Sequence, residues 1–395
     1  MLVDTKQKKQ KILFIAKNIP VPGIRPSRVI MAIAHEVSSF SNISFLYPNE
    51  IVPFGFQFLK KYKPFYKLKS WECEGFDIAV TQYLRIPFRG IAFWCWNKLS
   101  KQDIAYYEQA GPFDLIHAHY LFPDGYFAYL FSMKYAVSYV ITIRNADIKY
   151  LKNISRNNSD FKKAQLIIKH AQKVFSLNLA YKNFVDELFG ISSLIIPHGI
   201  EKNAYYEKPK QQNKKIVITV VSEAIKRKNI DWVIKGFKKY IGKHSIELHV
   251  IGKGPLLNRL KLLAGNDKRI FFHGKINRPE VMKRLQDSDI FALPSYDETF
   301  GLVYLEAAAT KNAIIGSKNE GVWGIFEDEK EMLFSSDEMH FQQLLLGLIE
   351  DHKLRSKLQE EAFNKVKQLN WDIISERYKK VYEECIGTLH INTDS

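Results

Sequence analysis

Short apolar runs alternate with helix-forming stretches along this chain, and they do so in two series separated by one polar segment. Residues 11–16, 114–119, 139–143, 174–176 and 193–196 read as strands of the first series, with helices expected over 27–38 and 125–132. Residues 205–215, rich in Lys, Gln and Asn around Pro209, are the linker candidate. The second series places strands at 216–221, 246–251, 269–273, 290–293 and 313–315. Its helices are expected over 229–240, 255–263 and 279–287 and from about Gly301 onward. Strands separated by helices pair in parallel, because a tight turn can join only antiparallel neighbours. A chain of 395 residues also exceeds one ordinary core. The expected fold is therefore α/β, with two Rossmann-like doubly wound domains facing a central cleft and ligands at strand carboxyl ends. The expected divisions are 1–208, 209–370 and a tail, 371–395, that is helical over 371–386.

Hydrophobic residues make up 46% of the chain and aromatics 13%, values that fit a packed globular protein. Cys73, Cys95 and Cys385 are scattered and lack metal-ligand spacing, which argues for a reducing cytoplasm and against zinc. The apolar run 12–16 is too short for a signal-peptide core. No run approaches the roughly 18 residues that span a bilayer, so a soluble or peripheral protein is expected.

Charge is unevenly divided. Residues 1–210 hold 29 Lys and Arg against 16 Asp and Glu, and residues 211–395 hold 29 against 26. A basic half suits a polyanionic partner. Within it, Phe54, Phe56, Phe58, Tyr62, Phe65 and Tyr66 interleave with Lys60, Lys61, Lys63, Lys67 and Lys69. A second patch, 85–98, contains Trp94 and Trp96. This mixture fits an anionic membrane surface, and equally an aromatic core under a solvated lysine face. Nucleic acid, which the same mixture could stack and neutralise, is the least favoured partner.

The stretch 294–310, P-S-Y-D-E-T-F-G-L-V-Y-L-E-A-A-A-T, carries the most chemistry. It sets Glu298 and Glu306 eight residues apart around Phe300-Gly301. Glu298 is expected on a loop at a strand's carboxyl end and Glu306 about two turns into a helix. A helix that starts at a glycine offers bare N–H groups to an anion. Phosphate at the helix start beside carboxylates that accept sugar hydroxyls suits a nucleotide sugar. An ordinary strand–loop–helix with surface glutamates fits the spacing as well.

Other segments are read beside this one. Gly252-Lys253-Gly254-Pro255 lacks the third glycine and the acidic partner of a dinucleotide fingerprint. Asp287-Ser288-Asp289 precedes a strand instead of following one, so helix-end capping is preferred to metal binding. His117 and His119, at i and i+2, are expected on opposite faces of their strand, one toward the cleft and one in the core, unable to share a metal ion.

On these residues the chain resembles the retaining family 4 glycosyltransferases of GT-B fold, most strongly over 214–334 and more weakly before 110. The resemblance implies that Glu298 lies by the donor sugar, that Phe300, Gly301, Leu302 and Val303 contact sugar and phosphate through their backbone, and that Glu306 binds the ribose. It assigns Gly23, Arg227 and Lys228 to the donor diphosphate, and His119, Asp124, Arg144 and Asp147 to the acceptor side. It also packs the C-terminal helix back on the first domain. The chain departs from the family twice: Glu223 stands where an arginine is usual, with Arg227 as a candidate substitute, and Arg144 stands where a histidine lies by the reacting sugar. Arg144 cannot be a general base, but it can neutralise charge.

The activity implied is retaining transfer from a nucleotide diphosphate sugar to a glycan or lipid-linked acceptor in cell-surface polysaccharide synthesis. Glu298, Lys228 and Arg144 are the candidate catalytic residues. No metal or other cofactor is expected beyond the nucleotide sugar co-substrate. The placement expected is cytoplasmic, with the inner membrane face open as a peripheral site. The competing reading, motivated by Glu223 and Arg144, is a non-catalytic sugar-nucleotide or membrane-binding module on the same scaffold.

Overall fold

Ile12, Leu13, Phe14 and Ile15 are completely buried, as a central strand covered on both faces requires. The computed structural model describes residues 9–23, 28–51, 68–84, 99–207 and 215–393. Both aromatic-basic patches, apart from residues 68–70, most of the linker candidate and the N-terminal segment 1–8 lie outside them. Two compact units emerge: Met1–Leu177 with Tyr181–Ile196 and Ser375–Ser395, and Asn178–Ala180 with Pro197–Ile374.

In the first unit the order is β1 (Gln10–Ile15), α1 (Val29–Ser38), β2 (Ser41–Ile51), β3 (Trp71–Cys73), β4 (Phe76–Leu84) and α2 (Lys101–Ala110). Then come β5 (Leu115–Ala118), α3 (Tyr126–Tyr135), β6 (Tyr139–Ile143), α4 (Asn145–Asn153), α5 (Ser159–His170), β7 (Lys173–Ser176), α6 (Leu179–Phe189) and β8 (Leu194–Ile195). Among the described residues these strands form an eight-stranded sheet in the order β3-β4-β2-β1-β5-β6-β7-β8. Only the β3–β4 pairing in it is antiparallel.

The second unit continues with β9 (Lys215–Val221), α7 (Ile230–Lys239), β10 (Ser245–Ile251), α8 (Leu257–Ala264), β11 (Ile270–Gly274), α9 (Arg278–Gln286) and β12 (Ile290–Ala292). It closes with α10 (Leu302–Ala309), β13 (Ala313–Ser317), β14 (Leu333–Ser335), α11 (Glu338–Glu350) and α12 (His352–Lys367). Its sheet is parallel in the order β11-β10-β9-β12-β13-β14. This is a doubly wound arrangement whose order reverses between β9 and β12. In the first unit the reversal falls between β1 and β5. Such switch points open a crevice at the strand carboxyl ends, where ligands bind.

The last helix, α13, runs Trp371–Thr393 and extends past the expected end. From Ser375 onward it belongs to the first unit. There Tyr382 is fully buried and its hydroxyl lies 2.6 Å from His117 Nδ1. Among the described residues no helix is long and apolar enough to cross a membrane.

Candidate functional site

In the second unit, the loops after β9 and β12 meet at the switch point. Tyr296 N–H donates to the Arg227 carbonyl at 2.8 Å, and Asn229 Nδ2 donates to the Pro294 carbonyl at 2.8 Å. These bonds bring together side chains far apart in sequence. Lys228, buried in a short 3-10 turn, donates its Nζ to Glu298 Oε2, which also accepts from Ser295 Oγ at 3.1 Å. Arg227 Nη1 lies 3.9 Å from the same oxygen and 3.4 Å from the Asp297 carbonyl. Burial holds the Lys228 ammonium below its usual range, with Glu298 working against that effect. Two cations and one carboxylate thus share a site that excludes most water.

Gly301 caps α10 with φ +78°, a backbone that only glycine adopts without strain. A β-carbon there would lie 2.6 Å from the Tyr304 ring. Tyr304 is buried and donates to the Leu293 carbonyl at 2.6 Å, pinning the first turn of α10 to the end of β12. Leu302 and Val303 open the helix and are half-buried, whereas Phe300 is buried with its ring 4.9 Å from His198. Glu306 sits in the second turn of an eight-residue helix, nearer its start than the expected two turns. Its Oε1 pairs with Arg278 at 3.0 Å, and burial pushes its carboxyl up despite that cation.

Four residues that local sequence reading passed over hold the loop. Asn178 Nδ2 donates to the carbonyls of Thr299 (3.2 Å) and Gly321 (2.7 Å). Glu320 accepts the Glu298 N–H at 2.9 Å, and Gly321 N–H donates back to the Glu298 carbonyl at 3.3 Å. His198 backs Phe300. The glycines of 252–254 approach the β9 loop so closely that a β-carbon on Gly252 would meet the Ser222 carbonyl oxygen at 1.8 Å. Glu223 is exposed on that loop. Asp287 caps the carboxyl end of α9, its N–H donating to the Lys283 carbonyl at 3.1 Å, as expected of this segment, while Asp289 accepts the Val217 N–H at 2.9 Å and ties the start of β9. Among the described residues no group of three or more His, Cys, Asp or Glu is placed to hold a metal ion.

The first unit gathers polar residues at its own switch point. Lys17, after β1, reaches Glu50 of β2 (2.5 Å) and Tyr83 of β4 (2.7 Å), while its N–H donates to both oxygens of Asp124 at 3.2 Å. Asp147 caps α4 by accepting the Arg144 N–H at 2.9 Å and also accepts the Leu121 N–H at 3.0 Å. Burial pushes the Asp147 carboxyl up to about 7, and it raises Asp124 well above the carboxylate range. Arg144 is buried, donates from Nε to the His119 carbonyl at 3.0 Å and lies over the Tyr120 ring. Gly23 has the left-handed backbone, φ +79°, and no described atom lies within 4 Å of where its β-carbon would be.

The histidine expectation is overturned. His117 and His119 are both fully buried and their rings lie 4.0 Å apart, on one side of the strand. Successive side chains alternate along a strand, so i and i+2 share a face. His117 is held between Tyr382 and Thr142, and burial together with the Arg144 charge keeps it neutral, well below the usual histidine range.

Residues 201–365 match the family model described as glycosyl transferases group 1. The chain is 26% identical to an uncharacterised glycosyltransferase of Methanocaldococcus jannaschii, over 75% of this chain and 82% of that one. It is 24% identical to a putative teichuronic acid biosynthesis glycosyltransferase of Bacillus subtilis, over 69% and 66%. Among solved structures it is similar to Anabaena HepE in complex with UDP, with a TM-score of 0.67 at 15% identity, covering 95% of this chain and 100% of that one. This last likeness shows the fold, which is the GT-B fold expected from the sequence.

Proposed function

We propose that this chain, a glycosyltransferase whose residues 201–365 match the glycosyl transferases group 1 model, moves a sugar from a nucleotide diphosphate sugar to a hydroxyl of a glycan or lipid-linked acceptor, with retention at the anomeric carbon. The observation that carries this reading is the convergence of Lys228 and Arg227 on Glu298 beside the Gly301 start of α10. Cations and bare helix N–H groups suit a diphosphate, and the neighbouring carboxylate suits sugar hydroxyls. HepE was solved with UDP, which supports a nucleotide sugar donor, and the Bacillus relative is named as a putative teichuronic acid biosynthesis glycosyltransferase, which supports a polysaccharide product.

In the reaction proposed, the bond from the anomeric carbon to the donor phosphate oxygen breaks and its electron pair leaves with the nucleotide diphosphate. The acceptor oxygen forms the new bond on the same face, and its proton passes to a donor phosphate oxygen. Lys228, Arg227 and the N–H groups at Gly301 to Val303 would stabilise the charge on the departing diphosphate. In this reading no enzyme nucleophile, metal ion or other cofactor has a role. Glu298 would hold the donor sugar and Glu306 the ribose. The first unit would receive the acceptor, with His119, Asp124, Arg144 and Asp147 forming its floor. The protein is proposed to act in the cytoplasm, at the inner membrane face where lipid-linked acceptors lie.

Incubating the purified protein with a panel of nucleotide sugars, with and without glycan acceptors, tests this. Nucleotide diphosphate release and an α-for-α anomeric signal in the product are expected. Affinity for nucleotide sugars without release from any of them would favour a binding module instead.

A further inference from the structure

Ile241 keeps 96% of its surface and Leu262 82%, more than any other large hydrophobic residue among those described. Single exposed aliphatic side chains are ordinary. These two stand at the same end of the second unit. Ile241 lies in the loop between α7 and β10, and Leu262 in the last turn of α8. The Lys238 ammonium, in the last turn of α7, donates to the Leu263 and Ala264 carbonyls at 2.9 and 3.3 Å, so the two helix ends meet. The Arg269 guanidinium lies 4.9 Å from the centre of the Phe237 ring, which brings the loop before β11 to the same place.

The loop holds Ile241 outward. Tyr240 is buried, and its hydroxyl accepts the His244 N–H at 3.1 Å, closing the turn that carries the isoleucine. A β-carbon on Gly242 would come within 2.4 Å of that hydroxyl and of Glu350 Oε1, so the residue after Ile241 has room only for glycine.

Charge around the pair has one sign. Residues 232–246 and 256–266 contain no Asp or Glu. Lys239, Lys243, Arg259, Lys261 and Lys268 are exposed, and none of them forms an ion pair among the described residues. The neighbouring carboxylates are engaged by other cations: Asp267 by Arg269 at 2.7 Å, Glu247 by Lys215 at 2.7 Å, and Glu350 faces His244 at 3.6 Å. Ile241 and Leu262 offer no ring on which a nucleic-acid base could stack. A stable protein partner needs about 800 Å² of matched surface on each side. A bilayer interface takes isolated aliphatic tips, and anionic headgroups answer the cations around them.

We infer that this end of the second unit docks on an anionic lipid bilayer, with Ile241 and Leu262 entering the interface and the surrounding lysines meeting the headgroups. The inference rests on the placement at a membrane face proposed above and on nothing else in the transfer reading. The docking end lies at the amino ends of β10 and β11. β10 has seven residues and spans roughly 23 Å, so docking leaves the carboxyl-end loops with Lys228 and Glu298 clear of the headgroups.

The test uses the full chain with vesicles of phosphatidylcholine alone or with about 30% phosphatidylglycerol, at about 0.1 M salt. Co-sedimentation with the anionic vesicles is expected, and little with the neutral ones. On anionic vesicles, amide hydrogen exchange should slow in residues 239–244 and 258–264. Ile241→Ser combined with Leu262→Ser should weaken vesicle binding by about tenfold or more, and Lys239→Glu combined with Lys243→Glu by a similar factor. Met339→Ser, an exposed position that follows the carboxyl end of β14, should leave binding unchanged. Undiminished binding by the double serine variant, with exchange in both segments unaltered by vesicles, would assign docking to another surface and overturn the inference. A loss confined to the lysine variants would overturn the insertion of the aliphatic pair. Self-association without lipid that the serine substitutions abolish would give this face to a second copy of the chain and overturn it as well. Nucleotide release in vesicle-free buffer reads the transfer reaction separately. Release without vesicle binding would strike this inference alone, and vesicle binding without release from any nucleotide sugar would strike the transfer reading alone.

Discussion

Lys228 and Glu298 form a buried ion pair across 70 residues of sequence, joining the loops that follow two adjacent strands of the second sheet. Both side chains keep about a tenth of their surface. Removing one partner strands the other charge in a dry site, and this costs more than the pair contributes. Glu298→Gln should therefore lower stability by about 3 kcal/mol in urea unfolding. The double variant Glu298→Gln with Lys228→Met should regain part of that loss. Additive losses would mean the two residues do not act as a pair. Transfer activity should vanish in both variants, because the proposed sugar contact is gone from each.

Gly301→Ala meets two obstacles at once, a left-handed backbone and a Tyr304 ring 2.6 Å from the new β-carbon. The expected cost is roughly 2 kcal/mol, read from thermal unfolding. Turnover should fall more than stability, since the same shift moves Glu298 and the start of α10. An unchanged turnover number would show that the helix start does not contact the reacting group.

Glu306 combines burial with one cation, Arg278, whose side chain is largely exposed. If its carboxylate accepts ribose hydroxyls, Glu306→Ala should weaken nucleotide binding about tenfold, while Arg278→Ala changes it less than about threefold. Burial has raised the Glu306 pKa, so binding should decline as pH falls through that raised value. Arg278→Ala removes the opposing cation and should move the decline to higher pH. Titration of nucleotide affinity against pH checks both statements.

Local pattern carried much of the second sheet. Runs such as 216–221 and 246–251 are apolar and β-branched, and the structure places strands there with ends shifted by a residue. It failed where polarity interrupts a strand. β2 carries Pro48, Asn49 and Glu50, and β4 carries Thr81 and Gln82, because their ends reach the polar switch point. Helices α11 and α12 went unread, having no distinctive chemistry to draw attention to them. The pairing of Lys228 with Glu298, and the grip of Asn178 on a loop 121 residues away, depend on which strands are neighbours. Spacing along one segment does not encode that. Gly301 as a helix start was legible because a single residue type answers a single backbone need.

His249 and His273 stand on neighbouring strands with Nδ1 and Nε2 2.9 Å apart, so one nitrogen must donate and the other accept. Burial holds both below the usual histidine value; Arg284 lowers both further, Lys215 adds to this at His249, and Glu247 opposes it there. A histidine with a depressed folded-state pKa binds fewer protons folded than unfolded just below pH 6.5. Its contribution to stability is therefore complete above about pH 6.5 and lost as pH falls toward the folded values. Stability should therefore fall between about pH 7.5 and 5. His273→Gln should flatten that part of the stability profile. A slope unchanged by the substitution would assign the acid sensitivity to other groups.

Asn178 is fully buried and spends its amide on two carbonyls, those of Thr299 and Gly321. Those carbonyls belong to the two loops that flank Glu298, so the amide acts as a strut between them. Asn178→Asp is nearly the same size but replaces the NH₂ donor with a carboxylate oxygen aimed at two carbonyl oxygens. The repulsion and two unanswered acceptors should cost about 2 kcal/mol and separate the loops. Asn178→Ala only deletes the strut and should cost less. The kinetic signature separates positioning from mere stability: a loosened donor loop raises KM for the nucleotide sugar and lowers kcat together, at temperatures where both variants remain folded. If both variants bind and turn over donor as the unmodified chain does, the loop is held by Glu320 and Gly321 alone, through their bonds to the Glu298 backbone.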